Sequence, residues 1–412
     1  MKQPAAVKTV MAILAGTWAL NAIAAEPTIS NVSVHQRWPW SRLVNIDYTL
    51  TCDDSNRVDV TVTAYNSATP LTLPSASLSG DVDSVPPGTR RIVWDPSKTA
   101  YTNELLTQFR VDLTPALAPA YMIVNLTDGQ KTYRYDWNTV WYDVTNHVEY
   151  MTTNLVLRHI LPGTFMMGTP TNYLALKNDC TSPEDYHPVT LTKGFYIGIF
   201  QVTQKQWALL MNNAWPSYFT NALAAATRPV ELVSYSSIRG TLASSVDANS
   251  FMGKLQTLAG VDFELPTEAQ WEYACRAGTD TPFNDSVTSP TDSTVSLLAR
   301  YRYNSTVPGD GTNRNADATM GTARVGSYQT NPWGLYDMHG NVWELCLDGL
   351  VPNLGTDAVT DPVSTASTAK IIRGSTWDEA IQNLRSAARL SVGTASAYRN
   401  VGFRVKAAEP GE

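Results

Sequence analysis

Val44, Ile46, Tyr48 and Leu50 alternate with polar neighbours, and Val58, Val60, Val62 and Ala64 repeat the pattern. Period two marks a strand with one buried face. Asp53-Asp-Ser-Asn56 between the runs is turn chemistry, which predicts a hairpin. Phe109, Val111 and Leu113 predict a further strand, and Pro86-Pro-Gly88 and Asp95-Pro96 separate elements. Several short strands within residues 26–118 predict a small β-sandwich of immunoglobulin or fibronectin kind. Pro115-Ala-Leu-Ala-Pro119 reads as a linker. Residues 119–152, rich in Tyr and Trp, form a bridging segment whose strands join either neighbour.

From about residue 153 the pattern changes. Leu155-Val-Leu157, the turn-broken Pro162–Gly168 and the apolar Phe195–Phe200 read as strands. Thr203-x-x-Gln206 and Thr267-x-x-Gln270 are capping boxes, each opening a helix. The first helix carries Trp207, Leu209 and Leu210 and ends at Asn212-Asn213; the second places Trp271 and Ala274 on one face and stops at Gly278. A third helix is expected within 246–259. Beyond Gly278 the composition predicts mostly loop. Few helices, few strands and long loops predict an α+β domain, with no internal repeat.

The chain has 412 residues, which favours two domains. Its net charge is −7 and it has no basic run, so nucleic-acid binding has no electrostatic footprint. Lys2 and Lys8, the mostly apolar run Val10–Leu20 and Ala22-Ile-Ala24 predict a signal peptide over 1–25. The alternative is an N-terminal membrane anchor, but the apolar run is shorter than the ~20 residues a span needs. The expected location is secreted or periplasmic, with no membrane span after cleavage. Export permits disulfides. Cys52, Cys180, Cys275 and Cys346 allow three pairings, and none has zinc-ligand spacing. The histidines, five in all, are scattered, and there is no G-x-S-x-G elbow or P-loop.

Asn331-Pro-Trp-Gly-Leu-Tyr-Asp-Met-His-Gly-Asn-Val-Trp-Glu344 is the richest stretch. Asp337 and Glu344 are hard carboxylates, and Gly340 lets the main chain approach closely. Carboxylates with exposed carbonyls suit Ca²⁺, which takes six to eight oxygens. On spacing alone, a solvated acidic loop is the other reading.

With Leu265-Pro-Thr-Glu-Ala-Gln-Trp-Glu-Tyr-Ala-Cys-Arg-Ala-Gly278 and Gly402-Phe-Arg404, this loop resembles the formylglycine-generating enzyme, or sulfatase-modifying factor, family over residues 153–408. The resemblance implies a fold related to C-type lectins. It also implies a structural calcium site held by the side chains of Asp337 and Glu344 and the carbonyls of Gly340 and Val342. A second calcium loop is implied at Asn304, with Asp317 as a partner. Active relatives carry Gly-Gly-Ser-x-x-Cys-x-x-x-x-Cys, whose thiolates bind Cu(I) for oxidation of a substrate cysteine to formylglycine. Here the run is Arg373-Gly-Ser-Thr-Trp-Asp378: Ser375 matches the pocket serine, Asp378 stands at the first cysteine, and no cysteine follows Cys346. Oxygen ligands do not replace a dithiolate for Cu(I), so copper is not expected. The family disulfide partner of Cys275 is Val405 here. Iron-dependent sulfoxide synthases of the same superfamily draw histidines from a helical domain, unlike this β-rich N-terminal part.

Trp343, Trp377, Asp378, Glu379, Arg385, Arg389 and Tyr398 fall in the family's substrate-groove region, where aromatic and charged groups suit a peptide or glycan. In the structural alternative, Trp343 is core and Arg385, Arg389 and Arg404 are buried partners of Glu272 or Asp337. The expected function is an exported, calcium-stabilised recognition protein without copper oxidase activity. The alternative is an oxidoreductase of this superfamily acting on protein cysteine, or a protein assisting sulfatase maturation.

Overall fold

The computed structural model describes residues 26–176, 183–220, 225–241, 245–285, 290–305, 321–364 and 368–409. The signal-peptide segment, Cys180 and Asp317 lie outside the described residues. Two compact units emerge: residues 26–54 with 58–116, and 55–57 with 117–409. Among the described residues no helix is long and apolar enough to cross a membrane.

The N-terminal unit holds two sheets. One orders Thr28–Gln36, Val44–Thr51, Gly88–Trp94 and Leu78–Gly80; the other orders Thr69–Leu71, Val58–Asn66 and Phe109–Leu117. Both alternating sets bury apolar residues: Val44, Ile46, Tyr48 and Leu50 in the first sheet, Val58, Val60 and Ala64 in the second. The hairpin expectation therefore fails. The two runs never pair, because Asp53–Asn56 carries the chain from one sheet to the other. Alternation fixes which face is buried, not which strand is the partner. Trp94 stacks on Phe109 at 5.0 Å, linking the sheets through their side chains.

In the C-terminal unit the bridging segment supplies two strands. Tyr121–Asn125 and Lys131–Arg134 join a six-stranded sheet in the order Phe263–Glu264, Lys406–Ala407, Phe195–Gly198, Asn154–Ile160, Tyr121–Asn125, Lys131–Arg134. A three-stranded sheet contains Gly163–Met167, His187–Leu191 and Val359–Thr360. The region expected to be mostly loop instead builds a four-stranded sheet of Arg389–Gly393, Ala369–Arg373, Trp343–Gly349 and Val401–Gly402, preceded by helix Asp292–Leu298. Trp343–Gly349 is buried on both faces, so it carries no alternation for a period-two reading to detect.

Both capping boxes form. Thr203 and Gln206 open helix Gln204–Leu210, and Thr267 and Gln270 open Glu268–Arg276. Asn212 and Asn213 end the first in left-handed conformation. The second turns at Ala277 (φ 47°), with Gly278 following at φ 89°. The third helix is Phe251–Ala259.

Candidate functional site

Helix Glu268–Arg276 organises the centre of this unit. Its buried face repeats at helical spacing: Glu268, Trp271, Glu272 and Cys275. Each meets a different strand or loop. Glu268 takes a bidentate ion pair from Arg389, at 2.7 and 2.8 Å. Trp271 Nε1 donates to Glu344 Oε2 at 2.7 Å. Glu272 is shared by Arg276 and Arg373. Cys275 Sγ lies 3.8 Å from the Met338 carbonyl.

Arg404, at the end of the Gly-Phe-Arg run, forks onto Glu344 at 2.5 and 2.7 Å. Arg385 forks onto Glu184 at 2.6 and 2.9 Å. All these side chains are buried, so removing Arg404 or Arg385 strands a carboxylate away from water, whereas Glu268 and Glu272 each keep a second arginine. Arg385 and Arg389 are thereby removed from the groove to which the sequence assigned them. Their partners are Glu184 and Glu268, not Glu272 or Asp337. Trp343 is likewise core.

The 337–344 loop closes around one atom. Gln201 Nε2 lies 3.3 Å from the Asp337 carbonyl, 3.4 Å from that of Gly340, 3.2 Å from that of Val342 and 3.0 Å from Glu344 Oε1. Three of the four oxygens expected from the sequence converge there. From Asp337 it is the main-chain oxygen that faces Gln201. Its carboxylate accepts from Gly326 N–H through Oδ2 at 2.7 Å, while Oδ1 is buried with no hydrogen-bond partner among the described residues. Burial, opposed by that hydrogen bond and by Arg404, pushes the Asp337 carboxyl up to about 7. Gly340 is required here: at φ 81°, an added Cβ would lie 2.2 Å from the Arg300 carbonyl. Gln201 was missed from sequence; it sits between an apolar strand and a capping box and resembles neither. Among the described residues no cluster of three or more His, Cys, Asp or Glu forms a metal group.

Asn304 does not join this cage. Its Oδ1 accepts from Tyr301 N–H and its Nδ2 donates to the Ala299 carbonyl, so the side chain is committed to its own turn.

The pocket segment is tied to the same loop. Asn341 donates to Gln201 Oε1 at 3.0 Å, and its carbonyl accepts from Trp377 N–H at 3.1 Å and Thr376 Oγ1 at 3.2 Å. Just before them Ser375 is held at φ 68°, fully buried, with Oγ unpartnered among the described residues. A non-glycine residue in this region stores strain that its surroundings must hold. Asp378 is half-buried and accepts a long hydrogen bond from Asn400 (3.4 Å). Tyr218, Phe219 and Trp377 form an edge-to-face ladder with 5.1 Å steps. The exposed Arg399 guanidinium caps it, 5.5 Å from Trp377 and 5.8 Å from Tyr218. Arg399 has no carboxylate at salt-bridge distance among the described residues. Tyr218 and Tyr398 remain 56% and 48% exposed. Sequence reasoning named Trp377, Asp378 and Tyr398 but missed Tyr218 and Arg399, which come from separate loops.

Cys275 and Cys346 are free and fully buried in one apolar cluster. Burial pushes the Cys275 thiol up to about 12 and Cys346 well above its ordinary value. His339 is held neutral: burial lowers it to about 4, and its ring bridges Leu384 O and Asn284 N–H.

Comparison with known proteins matches residues 144–408 to the sulfatase-modifying factor enzyme 1-like domain. The chain is 35% identical over 151 residues to the formylglycine-generating enzyme of Streptomyces coelicolor, covering 34% of this chain and 45% of that protein. It thus spans less than half of that relative's length. It is 28% identical over 230 residues to chaperone protein LppX of Paenibacillus barcinonensis, covering 48% of this chain and 74% of that one. Among solved structures, Treponema denticola variable protein 1 superposes with a TM-score of 0.49 at 21% identity, covering 62% of this chain and 96% of that one. The chain belongs to the family of sulfatase-modifying factor enzyme 1-like domains.

Proposed function

We propose that this is an exported recognition protein whose family domain is stabilised by calcium and binds a peptide or glycan, without copper oxidase activity. The observation that carries the reading is the contrast at the pocket segment. Its accessible chemistry is the exposed Tyr218 ring beside Arg399, which has no carboxylate partner among the described residues, both resting on the buried Phe219 and Trp377, whereas the described thiols of this unit, Cys275 and Cys346, are buried and held protonated. Cu(I) needs thiolates, and Asp378 offers a hard oxygen instead. Arg399 over two rings suits an anionic group beside a flat or apolar face.

The donor set, all oxygen, supports calcium standing where Gln201 Nε2 now lies. Four oxygens surround Gln201 Nε2, yet an amide nitrogen has only two hydrogens to give. Asp337 Oδ1 is a further buried acceptor without a donor. Asp337, Gly340, Val342 and Glu344 would hold the ion, and it would supply positive charge to an acceptor-rich loop. The link from Gln201 through Asn341 to Trp377 would let that ion stiffen the rim. We read the fold as related to C-type lectins and the N-terminal unit as a sandwich. The charge pattern of residues 1–25 supports export to a secreted or periplasmic location.

Peptide and glycan arrays probed with the full chain test the reading. Binding to a defined ligand set is expected, with loss of at least about tenfold in signal for Arg399→Ala and Tyr218→Ala at unchanged melting temperature. Binding that is absent, or indifferent to both substitutions, would contradict it.

A further inference from the structure

Away from the rim, the C-terminal unit contains a cavity of about 390 Å³. Trp137, Tyr273 and Trp333 supply aromatic walls, with Pro162 and Pro332 between them. Arg158 and Arg57 supply positive charge. Arg158 is only 9% exposed. Of its five N–H donors, two hydrogen bonds are made, both with main-chain carbonyls: Ala120 at 3.4 Å and Trp137 at 3.1 Å. It has no ion pair among the described residues; its guanidinium lies 4.6 Å from the Tyr121 ring and 5.1 Å from Trp137. Asp136 acts on it only from beyond salt-bridge distance, and burial lowers its pKa.

This arginine contrasts with its buried neighbours in sequence type. Arg373, Arg385, Arg389 and Arg404 each meet a buried glutamate. A desolvated guanidinium left without a carboxylate is costly unless something supplies one. His159, also lining the cavity, keeps Nδ1 buried without a partner among the described residues while Nε2 meets Glu409 Oε1 at 2.5 Å. Trp333 stands edge-on to Tyr273 at 4.9 Å, forming a wall on which a ring can lie.

We propose that this cavity binds a small carboxylate carried on a ring, with Arg158 receiving the carboxylate and Trp137, Tyr273 and Trp333 flanking the ring. The volume accommodates a ligand of one or two rings. The ring acid comes from either of two sources, an acidic sugar or an aromatic acid.

Isothermal titration of the full chain with glucuronate, 4-hydroxybenzoate and glucose separates them. Saturable binding of one or both acids is expected, with glucose silent. Binding of glucuronate alone assigns an acidic sugar, and of 4-hydroxybenzoate alone an aromatic acid. Arg158→Gln should weaken acid binding about tenfold or more, and Trp333→Ala should weaken it about fivefold. Arg399→Ala should leave it unchanged, which separates this cavity from the rim. If Arg158→Gln does not fold, Trp333→Ala decides. No saturable heat from either acid up to roughly 10 mM overturns the proposal. So does glucose binding as tightly as glucuronate, or acid binding unaffected by the folded variants.

Discussion

Gln201 Nε2 stands 3.0 Å from Glu344 Oε1, and the same carboxylate is forked by Arg404, at 2.7 Å from Oε1 and 2.5 Å from Oε2. The segment before the Thr203 capping box, the 337–344 loop and the Gly-Phe-Arg run thus meet at one carboxylate. Glu344 is already neutralised by Arg404. The unmet charge in the loop belongs to Asp337, whose Oδ1 has no donor.

That difference makes Asp337→Asn the discriminating change for calcium. In chelator, the variant should be at least as stable as wild type, because it removes a buried carboxylate with an unpaired oxygen. With Ca²⁺ at a hundredfold excess over its dissociation constant, wild type should gain about 2.7 kcal/mol and the variant little. Chemical denaturation with and without Ca²⁺ measures both. An equal gain in both proteins would remove Asp337 from the site.

Arg389 offers a test of structure against function. Arg389→Met removes the bidentate partner of buried Glu268 and leaves it only Arg373, at 3.5 Å, so it should cost about 3 kcal/mol. The ligand profile of the variant, while still folded, should match wild type. A stable protein with altered ligand choice would return Arg389 to the groove.

Gly340 and Gly278 share a left-handed conformation but not surroundings. A Cβ at Gly340 would strike the Arg300 carbonyl, whereas Gly278 has open space. Gly340→Ala should cost at least about 2 kcal/mol, and Gly278→Ala only about 1–2 kcal/mol from its backbone angle. Paired urea titrations compare them.

Asp348 sets a pH dependence. Burial and the nearby Glu268 carboxylate raise it from 3.8 to about 7, against N–H donors from Glu268 and Ser364. The folded state therefore binds a proton that the unfolded state has lost between these values. Stability from this group is fully present below about pH 4 and is lost as pH rises through about 7. Melting temperature in chelator should fall between about pH 4 and about pH 7, the window set by the two pKa values, and Asp348→Asn should flatten part of that fall. A slope unchanged by the substitution would mean that other groups set it.

The capping boxes at Thr203 and Thr267 were legible because helix starts are local: a hydroxyl, a glutamine three residues later and an apolar face suffice. The family motifs were legible for the same reason. Strand partnership was not. The runs at Val44 and Val58 gave their buried faces correctly and their pairing wrongly, since register is a long-range choice. Trp343–Gly349 and Ala369–Arg373 escaped notice because central strands bury both faces and do not alternate. At the site, Gly340, Val342 and Glu344 could be placed by motif. Gln201, Tyr218 and Arg399 come from elsewhere in the chain and meet the motif only in three dimensions. Charged residues were the hardest to sort: nothing in sequence tells the paired Arg389 from the uncompensated Arg158 or the exposed Arg399.

The most direct measurement is aldehyde formation on a Cys-x-Pro-x-Arg peptide by the purified chain. It would be loaded with Cu(I) and separately with Fe(II), beside an active family member. The account expects no aldehyde from this chain with either metal while the control turns over. Aldehyde above the metal-only background with either ion would contradict it and assign this domain an oxidase centre built without a cysteine pair.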